Sequence, residues 1–232
     1  MRALVIGNRG DADPGLIGAR AQAHGYELHP LIREEFASWP DLDGFDLVMS
    51  LGSEWSVYWD HVQANVQPEI ALLQEAFRRD VPVFGICFGS QLLAMAHGGL
   101  VTRSPRPEIG WFDVIPTEAG ADLIDPGPWF EWHDDRWELP PGATLLAGNE
   151  NAPQAFSIGR SFAVQFHPEL TPDILANWIE LGGAKVLKER FIDRDILLGQ
   201  TVANVHGSHD RSVSLFDAFL TAICAKHSYI VP

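Results

Sequence analysis

An α/β fold is predicted for this chain by three observations on its 232 residues. Short β-branched runs bounded by turn residues alternate with helical patterns, which is typical of βαβ units and of a mainly parallel sheet. Hydrophobic residues make up 46% of the chain and charged residues 20%, as in ordinary globular proteins with a sizeable core. The length suits one large domain better than two small ones. We therefore expect one open sheet flanked by helices.

The first half of the chain supplies strands and helices in alternation. Residues 1–7 are apolar and predict a buried first strand, and Gly15 to His24 can form a helix. Asp46 to Leu51 is a second buried strand. Pro68 suits the first turn of the next helix. The apolar stripe expected on that helix consists of Ile70, Leu73, Ala76 and Phe77.

The second half continues the alternation and ends in helices. A strand is predicted at residues 82–86 and a helix from Gln91 to His97, closed by two glycines. Residues 154–158 and 161–166 flank Gly159-Arg160, which indicates a two-residue hairpin. Beyond Thr171 the pattern is helical. The expected packing positions there are Trp178, Ile179, Val186, Leu187, Ile196 and Leu197.

Charge, hydropathy and cysteine content argue against a nucleic-acid partner, a membrane span and a disulfide framework. The 31 acidic and 16 basic residues give a formal net charge of −15, whereas a nucleic-acid partner requires clustered Lys and Arg. The apolar residues 1–7 are too short to span a membrane, and no small-residue cleavage site follows them. The only cysteines are Cys87 and Cys224, so no disulfide framework is expected. We expect a cytoplasmic protein that binds neither nucleic acid nor membrane.

Cys87 is the candidate nucleophile. It stands between Gly85 and Gly89 where a predicted strand gives way to a helix, the pattern of a nucleophile elbow. Unpaired N–H groups at the start of that helix favour thiolate and can hold an oxyanion. The alternative interpretation is a buried structural thiol. Cys224 lies in an apolar helical stretch and is interpreted as a small buried hydrophobe without chemistry.

His167 and Glu169 are the candidate base and its orienting carboxylate. His167 follows a predicted strand, at the edge where α/β sheets place their sites. Residues two apart in extended chain project to the same side, so the Glu169 carboxylate can reach the ring and fix its tautomer. Pro168 disfavours helical dihedrals for His167 and keeps the pair extended. The alternative interpretation of His167 is a histidine that only caps the strand end or packs in the core.

Two motifs resemble those of the class I glutamine amidotransferases, in particular free-standing members similar to the amidotransferase domain of GMP synthase. Residues 85–91, GICFGSQ, resemble the G-x-C-x-G-x-Q elbow, and residues 165–169, QFHPE, resemble the second signature of the family. The resemblance implies a flavodoxin-like sheet, Cys87 as attacking thiolate, His167 as general acid and base, and Glu169 as its orienter. It also implies that Gln91 helps to bind glutamine.

Weaker matches extend the resemblance over most of residues 1–182. The loop containing Gly52 and Ser53 stands where the family has a Gly-Gly-Pro loop, so the resemblance implies a second oxyanion N–H from Ser53, beside that of Phe88. His133 stands in a segment, residues 132–135, that resembles the Ser-His-Gly-Asp segment near the glutamine pocket, with Asp at the position of Gly. A solvated loop residue is the alternative for His133.

The predicted site is therefore divided by role. Catalysis is assigned to Cys87, His167 and Glu169, the oxyanion hole to Phe88 and Ser53, and substrate binding to Gly52, Gln91 and His133. Residues 106–111 also fall where related proteins contact glutamine. No metal or cofactor is expected, because no His or Cys cluster has ligand spacing.

The expected reaction is hydrolysis of the glutamine side-chain amide, with ammonia passed to an acceptor on another protein, such as a separate synthetase subunit. Two alternatives are a γ-glutamyl hydrolase acting on a γ-glutamyl compound and an inert regulatory module of the same fold. Residues 1–182 are expected to form the amidotransferase domain, and residues 183–232 a helical extension packed on it.

Overall fold

The computed structural model describes residues 1–35 and 39–224. In this part of the chain a nine-stranded sheet runs in the order β2-β1-β3-β4-β9-β8-β7-β5-β6 and is flanked by helices. The strands are β1 (Arg2–Gly7), β2 (Glu27–Ile32), β3 (Leu47–Ser50), β4 (Val83–Ile86), β5 (Val101–Pro116), β6 (Gly127–Trp137), β7 (Thr144–Gly148), β8 (Pro153–Ile158) and β9 (Ser161–Val164). The helices are α1 (Gly15–Ala23), α2 (Gln63–Arg78), α3 (Phe88–Ala96), α4 (Pro172–Trp178), α5 (Ala184–Glu189) and α6 (Arg194–Ala218). The predicted α/β class with an open sheet is confirmed.

One half of the sheet is parallel and places the candidate site at its carboxyl edge. Strands β2, β1, β3, β4 and β9 pair in parallel. The register aligns Ser50 with Gly85 and Ile86 with Val164, so the ends of β3, β4 and β9 meet at one edge. Ligand sites of parallel sheets lie at this edge.

The other half of the sheet is antiparallel, and only its β8–β9 hairpin was predicted from the sequence. Strands β5 and β6 form a long antiparallel pair from Val101 opposite Trp137 to Val114 opposite Gly127, with an irregularity between Arg103 and Glu108. Strands β8 and β9 form the predicted hairpin, with Gly159 at a positive φ of 54° in the connection. This hairpin joins the antiparallel half to the parallel half.

Two expectations about helix α2 were wrong. The helix begins at Gln63, so Pro68 lies inside it rather than in its first turn. The Gln63 side chain donates hydrogen bonds to the carbonyl oxygens of Val57 and Trp59. These contacts support a helix start at Gln63, so the polar residues before Pro68 are also helical. Phe77 is 43% exposed and does not continue the buried stripe.

Apolar side chains cover both faces of the sheet. On one face α2 and α3 pack over β1, β3 and β4, and on the other α1 and the end of α6 do so. A third cluster joins α4, α5 and the start of α6 through Leu175, Leu187 and Leu197. The expected packing position Ile196 is 61% exposed instead.

The described part of the segment after residue 182 is helical except for a turn at residues 190–193. Helix α6 reaches back to the sheet, and the Arg20 guanidinium on α1 is paired with Asp217 at its end, at 2.5 Å. Residues 225–232 of the predicted extension lie outside the described residues. None of the helices that the structure describes has the length and apolar character needed to cross a membrane.

Candidate active site

Cys87 lies at the turn between β4 and α3, in the left-handed backbone region with φ 50° and ψ −103°. This region is unfavourable for a residue with a side chain, so the turn is strained. The glycines on either side permit close backbone approach. A Cβ atom on Gly85 would lie 2.9 Å from the carbonyl oxygen of Gly89, and one on Gly89 would lie 2.0 Å from that of Ser50. The spacing of glycines around Cys87 is thereby explained.

The sulfur of Cys87 sits at the amino end of α3. The residue is 4% exposed, and its Sγ lies 3.9 Å from the carbonyl oxygen of Trp132. Ser90 Oγ and Gln91 N donate to the Cys87 carbonyl oxygen at 2.6 and 3.1 Å, which fixes the first turn of the helix. Cys87 is the N-cap residue of α3, and the first backbone N–H groups of a helix have no partner within it.

His167 and Glu169 form a buried pair just beyond β9. The His167 Nδ1 atom lies 2.7 Å from Glu169 Oε1, and the residues are 4% and 2% exposed. The His167 backbone N–H donates to the carbonyl oxygen of Phe130 at 2.8 Å, and the Trp178 ring packs edge-on with its centroid 4.7 Å from that of His167. With Nδ1 engaged, Nε2 is the ring nitrogen available to Cys87.

Two neighbouring side chains set the protonation state of His167. Burial alone lowers the pKa of the imidazole, because a charged ring is poorly solvated in the interior. The Glu169 carboxylate and the Cys87 side chain outweigh that effect and raise the pKa of His167 well above its ordinary value. The imidazolium form, which can protonate a leaving group, is therefore favoured.

The loop after β3 closes over both catalytic candidates. A Cβ atom on Gly52 would lie 3.1 Å from His167 Cε1 and 3.8 Å from Cys87 Cβ, so only glycine fits without a shift. Ser53 follows directly, and its Oγ accepts a hydrogen bond from the Trp55 N–H at 3.1 Å. The predicted oxyanion loop thus lies against the predicted triad.

A buried ion pair that the sequence analysis missed holds this loop in place. Arg33 Nε donates to Glu69 Oε2 at 2.6 Å, and both side chains are fully buried. The guanidinium also donates to the carbonyl oxygens of Leu51 at 3.3 Å and Gly52 at 3.4 Å, while Ser50 Oγ donates to Glu69 at 2.7 Å. The two charged partners are far apart in sequence and share no motif, so no local pattern indicates them.

His133 is neither in a loop nor solvated. It lies on β6 with a side chain 1% exposed, and its Nδ1 is 2.9 Å from the carbonyl oxygen of Asp135. Its Nε2 lies 3.2 Å from Glu131 and 3.4 Å from Glu108. Burial lowers the pKa of His133, but these two carboxylates raise it to about 10. Both ring nitrogens are therefore engaged within the protein, and the adjacent residue, Trp132, is the one that lines the cavity described below.

The segment expected to contact glutamine, residues 106–111, lies on β5. Glu108 is 1% exposed, and its carboxylate accepts hydrogen bonds from the side-chain amides of Asn149, Asn151 and Gln154 at 2.7, 3.0 and 2.9 Å. Burial raises the pKa of Glu108, but His133 and the amide donors outweigh it and lower the pKa below its ordinary value. This carboxylate is thus committed to internal contacts.

Gln91 and Asp134 complete the set of predicted pocket residues. Gln91 lies on the first turn of α3 and is 3% exposed. Asp134, which replaces the glycine of the family segment, pairs with the Arg190 guanidinium and lies 3.7 Å from that of Arg103. The replacement therefore anchors the end of α5 to β6.

A cavity of about 250 Å³ opens beside His167. The loop residues Gly52 and Ser53 form one side of it. Its further polar lining comes from Asn8, Arg9, Asp11, Glu34 and Glu54, and its apolar lining from Trp132, Trp178, Leu181 and Val186. Of the predicted catalytic side chains, His167 lines this cavity.

Comparisons with known proteins agree with this geometry. The sequence model described as "Glutamine amidotransferase class-I" matches residues 60–181, more than half of the chain. The chain is 30% identical to a GMP synthase [glutamine-hydrolyzing] of Burkholderia vietnamiensis, over 91% of this chain and 43% of the relative. It is 42% identical to the GMP synthase [glutamine-hydrolyzing] of Aeropyrum pernix, over 44% and 22%. The chain thus spans less than half the length of these relatives.

Solved structures of similar size match over nearly their whole length. A glutamine amidotransferase from Thermotoga maritima superposes with a TM-score of 0.85 at 26% identity, covering 95% of this chain and 98% of that one. A glutamine amidotransferase from Methylobacillus flagellatus, 21% identical, shares the fold with a TM-score of 0.84, covering 95% and 94%. With the elbow, the buried His–Glu pair and the family match in agreement, this chain belongs to the class I glutamine amidotransferase family.

Proposed function

We propose that this chain hydrolyses the side-chain amide of glutamine through Cys87, His167 and Glu169, and that the ammonia passes to an acceptor on another protein. The observation that carries the proposal is the contact of three elements at one edge of the sheet. The strained turn presents the sulfur, the His167–Glu169 pair leaves Nε2 beside it, and the Gly52 loop touches both.

The first half of the proposed reaction forms a thioester. The Cys87 thiolate attacks the Cδ carbonyl carbon of glutamine, and negative charge develops on the carbonyl oxygen. The backbone N–H groups of Phe88, at the start of α3, and of Ser53 are the proposed oxyanion donors, each worth about 3 kcal/mol in the transition state. Gln91 and Gly52, which lie on the same two elements, are the proposed glutamine contacts.

The second half depends on His167. Its Nε2 proton goes to the departing nitrogen, which leaves as ammonia. The same nitrogen then takes a proton from water, whose oxygen attacks the γ-glutamyl thioester and releases glutamate and the thiolate. Glu169 keeps Nδ1 protonated and orients the ring. His133 is proposed to support the site through β6, because both of its ring nitrogens face protein groups.

The acceptor of ammonia is proposed to lie on a synthetase subunit outside these 232 residues. The relatives named GMP synthase [glutamine-hydrolyzing] are more than twice as long as the part that matches this chain. No phosphate loop or dinucleotide fingerprint occurs in the sequence, so an ATP-dependent amination needs a second catalytic site.

Release of glutamate from glutamine tests the proposal. We expect turnover by the purified protein and a loss of more than ~10³-fold in Cys87→Ala. Cys224→Ala is the matched control, because Cys224 lies away from the elbow and burial raises the pKa of its thiol to about 12. Equal activity of Cys87→Ala and the wild type would refute the role of Cys87. Absence of turnover by the wild type, with or without an added synthetase, would favour an inert regulatory module.

A further inference from the structure

A single buried guanidinium contacts both segments that carry the proposed oxyanion donors. Arg33 directly follows β2 and is fully buried. Its terminal nitrogens donate to the carbonyl oxygens of Leu51 and Gly52, at 3.3 and 3.4 Å, in the loop that contains Ser53. The central carbon of the guanidinium lies 4.9 Å from the centroid of the Phe88 ring. The backbone N–H groups of Ser53 and Phe88 therefore belong to segments that pack against the same side chain.

The hydrogen bonds of Arg33 use its whole donor capacity. Nε donates to Glu69 Oε2 at 2.6 Å, and a terminal nitrogen donates to Glu69 Oε1 at 3.2 Å. The remaining N–H groups donate to the side-chain oxygen of Asn8 and to the carbonyl oxygens of Leu51 and Gly52. A guanidinium has five N–H donors in a fixed planar arrangement, and each has a partner here. Lysine, with three donors on one nitrogen, cannot reproduce this set of contacts.

The position of the guanidinium determines the direction of the Ser53 N–H. The Gly52–Ser53 peptide is trans, so its carbonyl and its N–H point in opposite directions. Arg33 is fully buried and does not line the cavity beside the proposed general acid, whereas Gly52 and Ser53 do. Because the Gly52 carbonyl faces Arg33, the Ser53 N–H is turned away from the buried side of the loop. Within the described residues this N–H donates to no backbone carbonyl.

The loop depends on such an anchor because its own sequence provides little stiffness. Ser53 and Glu54 stand where the loop of the family has glycine and proline, and only proline fixes a backbone dihedral. The Ser53 hydroxyl accepts a hydrogen bond from the Trp55 N–H at 3.1 Å, which orders the residues after Ser53. The backbone before Ser53 is held by Arg33.

A buried ion pair is a weak source of stability but a precise source of geometry. Removing two charges from water has a cost that their attraction often fails to offset, so apolar residues can replace such a pair without loss of stability. Hydrogen bonds to the loop, in contrast, require donors at fixed positions. Both partners are themselves held, since Ser50 Oγ donates to Glu69 at 2.7 Å and Asn65 Nδ2 donates to the Arg33 carbonyl oxygen at 2.8 Å.

We propose that Arg33 is a positioning residue of the oxyanion hole. It holds the Gly52 carbonyl oxygen so that the Ser53 N–H faces the reacting carbonyl oxygen of glutamine, and it supports the ring of Phe88. The inference rests on the proposed function, because it concerns the same thioester reaction. Oxyanion donors act on charge that develops in the transition state, so the loss of Arg33 should lower kcat much more than it changes KM.

Arg33→Lys tests the inference. Lysine keeps a positive charge opposite Glu69, but one ammonium group cannot reach the carboxylate and the loop carbonyls together. We expect kcat for glutamate release from glutamine to fall at least ~10-fold, while KM changes by less than ~3-fold. Arg20→Lys is the matched control, because Arg20 also donates through two nitrogens to one carboxylate, that of Asp217, but joins α1 to α6. Its kcat should equal that of the wild type.

Alkylation of Cys87 by iodoacetamide gives a readout that a general disturbance of the site would move. The sulfur forms a bond to the saturated carbon and iodide leaves with the bonding electrons, so the reaction needs the thiolate but no oxyanion hole. Peptide mass spectrometry distinguishes Cys87 from Cys224. In Arg33→Lys the rate at Cys87 should stay within ~3-fold of the wild-type rate. A fall in alkylation as large as the fall in kcat would overturn the inference, because the nucleophile itself would then be affected.

A double variant decides the question if Arg33→Lys does not fold. Arg33→Met combined with Glu69→Met removes both charges together, so the fold should persist, and kcat should again fall at least ~10-fold. Wild-type kcat in either folded variant overturns the inference and leaves the glutaminase proposal intact. Failure of both variants to fold also overturns it, because the pair would then be structural. Absence of glutamate release by the wild type overturns the proposed function itself.

Discussion

At the scale of single residues, the proposed chemistry of this site depends on a histidine kept charged in a buried position. Burial lowers the pKa of His167, whereas the side chains of Glu169 and Cys87 raise it by more than burial lowers it. Because the pKa is raised, the imidazolium persists through neutral pH and is lost only as the pH rises through the raised value. The proposed general acid is therefore in its protonated form at physiological pH.

Glu169→Gln should shift the pH dependence of the reaction. The substitution removes the carboxylate charge that raises the pKa of His167, so the alkaline limb of kcat/KM for glutamine should move to lower pH. The maximum should fall by ~10²–10⁴-fold, since the ring also loses its orientation. Glu180→Gln, an exposed carboxylate, is the control. An alkaline limb in the same place in Glu169→Gln and the wild type would contradict this account.

A second buried carboxylate has an unusual environment for its charge. Both oxygens of Glu131 are buried and lack a hydrogen bond of normal geometry, and the nearest cationic group is His133 Nε2 at 3.2 Å. Burial is the largest influence and raises the pKa of Glu131 from 4.5 to about 7, although His133 opposes it. Folding therefore favours the protonated form of this group.

This shift predicts a loss of stability with rising pH that one substitution should reduce. Between pH 4.5 and 7 the folded state binds more protons at Glu131 than the unfolded state, so the free energy of unfolding falls as the pH rises. The contribution is roughly 3 kcal/mol. This contribution should be absent in Glu131→Gln. The free energy of unfolding in urea should therefore fall less between pH 5 and pH 7 in the variant than in the wild type. A decline as large as that of the wild type would sink the assignment.

At the scale of elements, helix α4 places Trp178 against His167 although it is only seven residues long. So short a helix is marginal alone and depends on its cap and on packing. Thr171 Oγ1 accepts a hydrogen bond from the Ile174 N–H at 3.2 Å, and Pro172 occupies the first helical turn. Leu175 on the same helix is fully buried.

Thr171→Ala should weaken this helix by removing its cap. We expect the free energy of unfolding in urea to fall by about 1 kcal/mol with an unchanged m-value. Thr171→Ser keeps the accepting oxygen and should lose much less. A loss in Thr171→Ala below about 0.3 kcal/mol would mean that Pro172 and the packing of Leu175 alone define the helix start.

The elements and residues that the sequence predicted well are those specified by local chemistry. The strand before Cys87, the glycines around it and the β8–β9 hairpin follow from steric requirements within a few residues. The His167–Glu169 contact was likewise predicted from their two-residue spacing, and the structure places the two side chains 2.7 Å apart.

The features that were missed depend on contacts between distant segments. Arg33 and Glu69 meet only because β2 and α2 pack on the same part of the sheet, and nothing near either residue indicates the other. His133 was placed near the substrate from a motif, but the long β5–β6 pairing that buries it against Glu108 is set by antiparallel register. Residues 178–186, which wall the cavity, carry no motif at all.

At the scale of the whole molecule, the carboxyl-terminal helices belong to the core beneath the nucleophile. The Phe219 ring lies 5.0 Å from that of Phe84 and 5.9 Å from that of Phe162, measured between centroids. Phe84 is on β4, three residues before Cys87, and all three rings are fully buried. The helical turn Phe219–Cys224, which directly follows α6, therefore packs on the strand that leads to Cys87.

Phe219→Ala should accordingly destabilise the entire protein and not only its last helix. Removing this buried ring should lower the free energy of unfolding by about 3–5 kcal/mol. Phe191→Ala is the matched control, since Phe191 is 96% exposed and its loss should change stability by less than about 0.5 kcal/mol. Urea unfolding followed by glutamate release and by circular dichroism should give one coincident transition in both variants. If residues 183–232 were instead a separable extension, Phe219→Ala would unfold in two steps, and activity would survive the first.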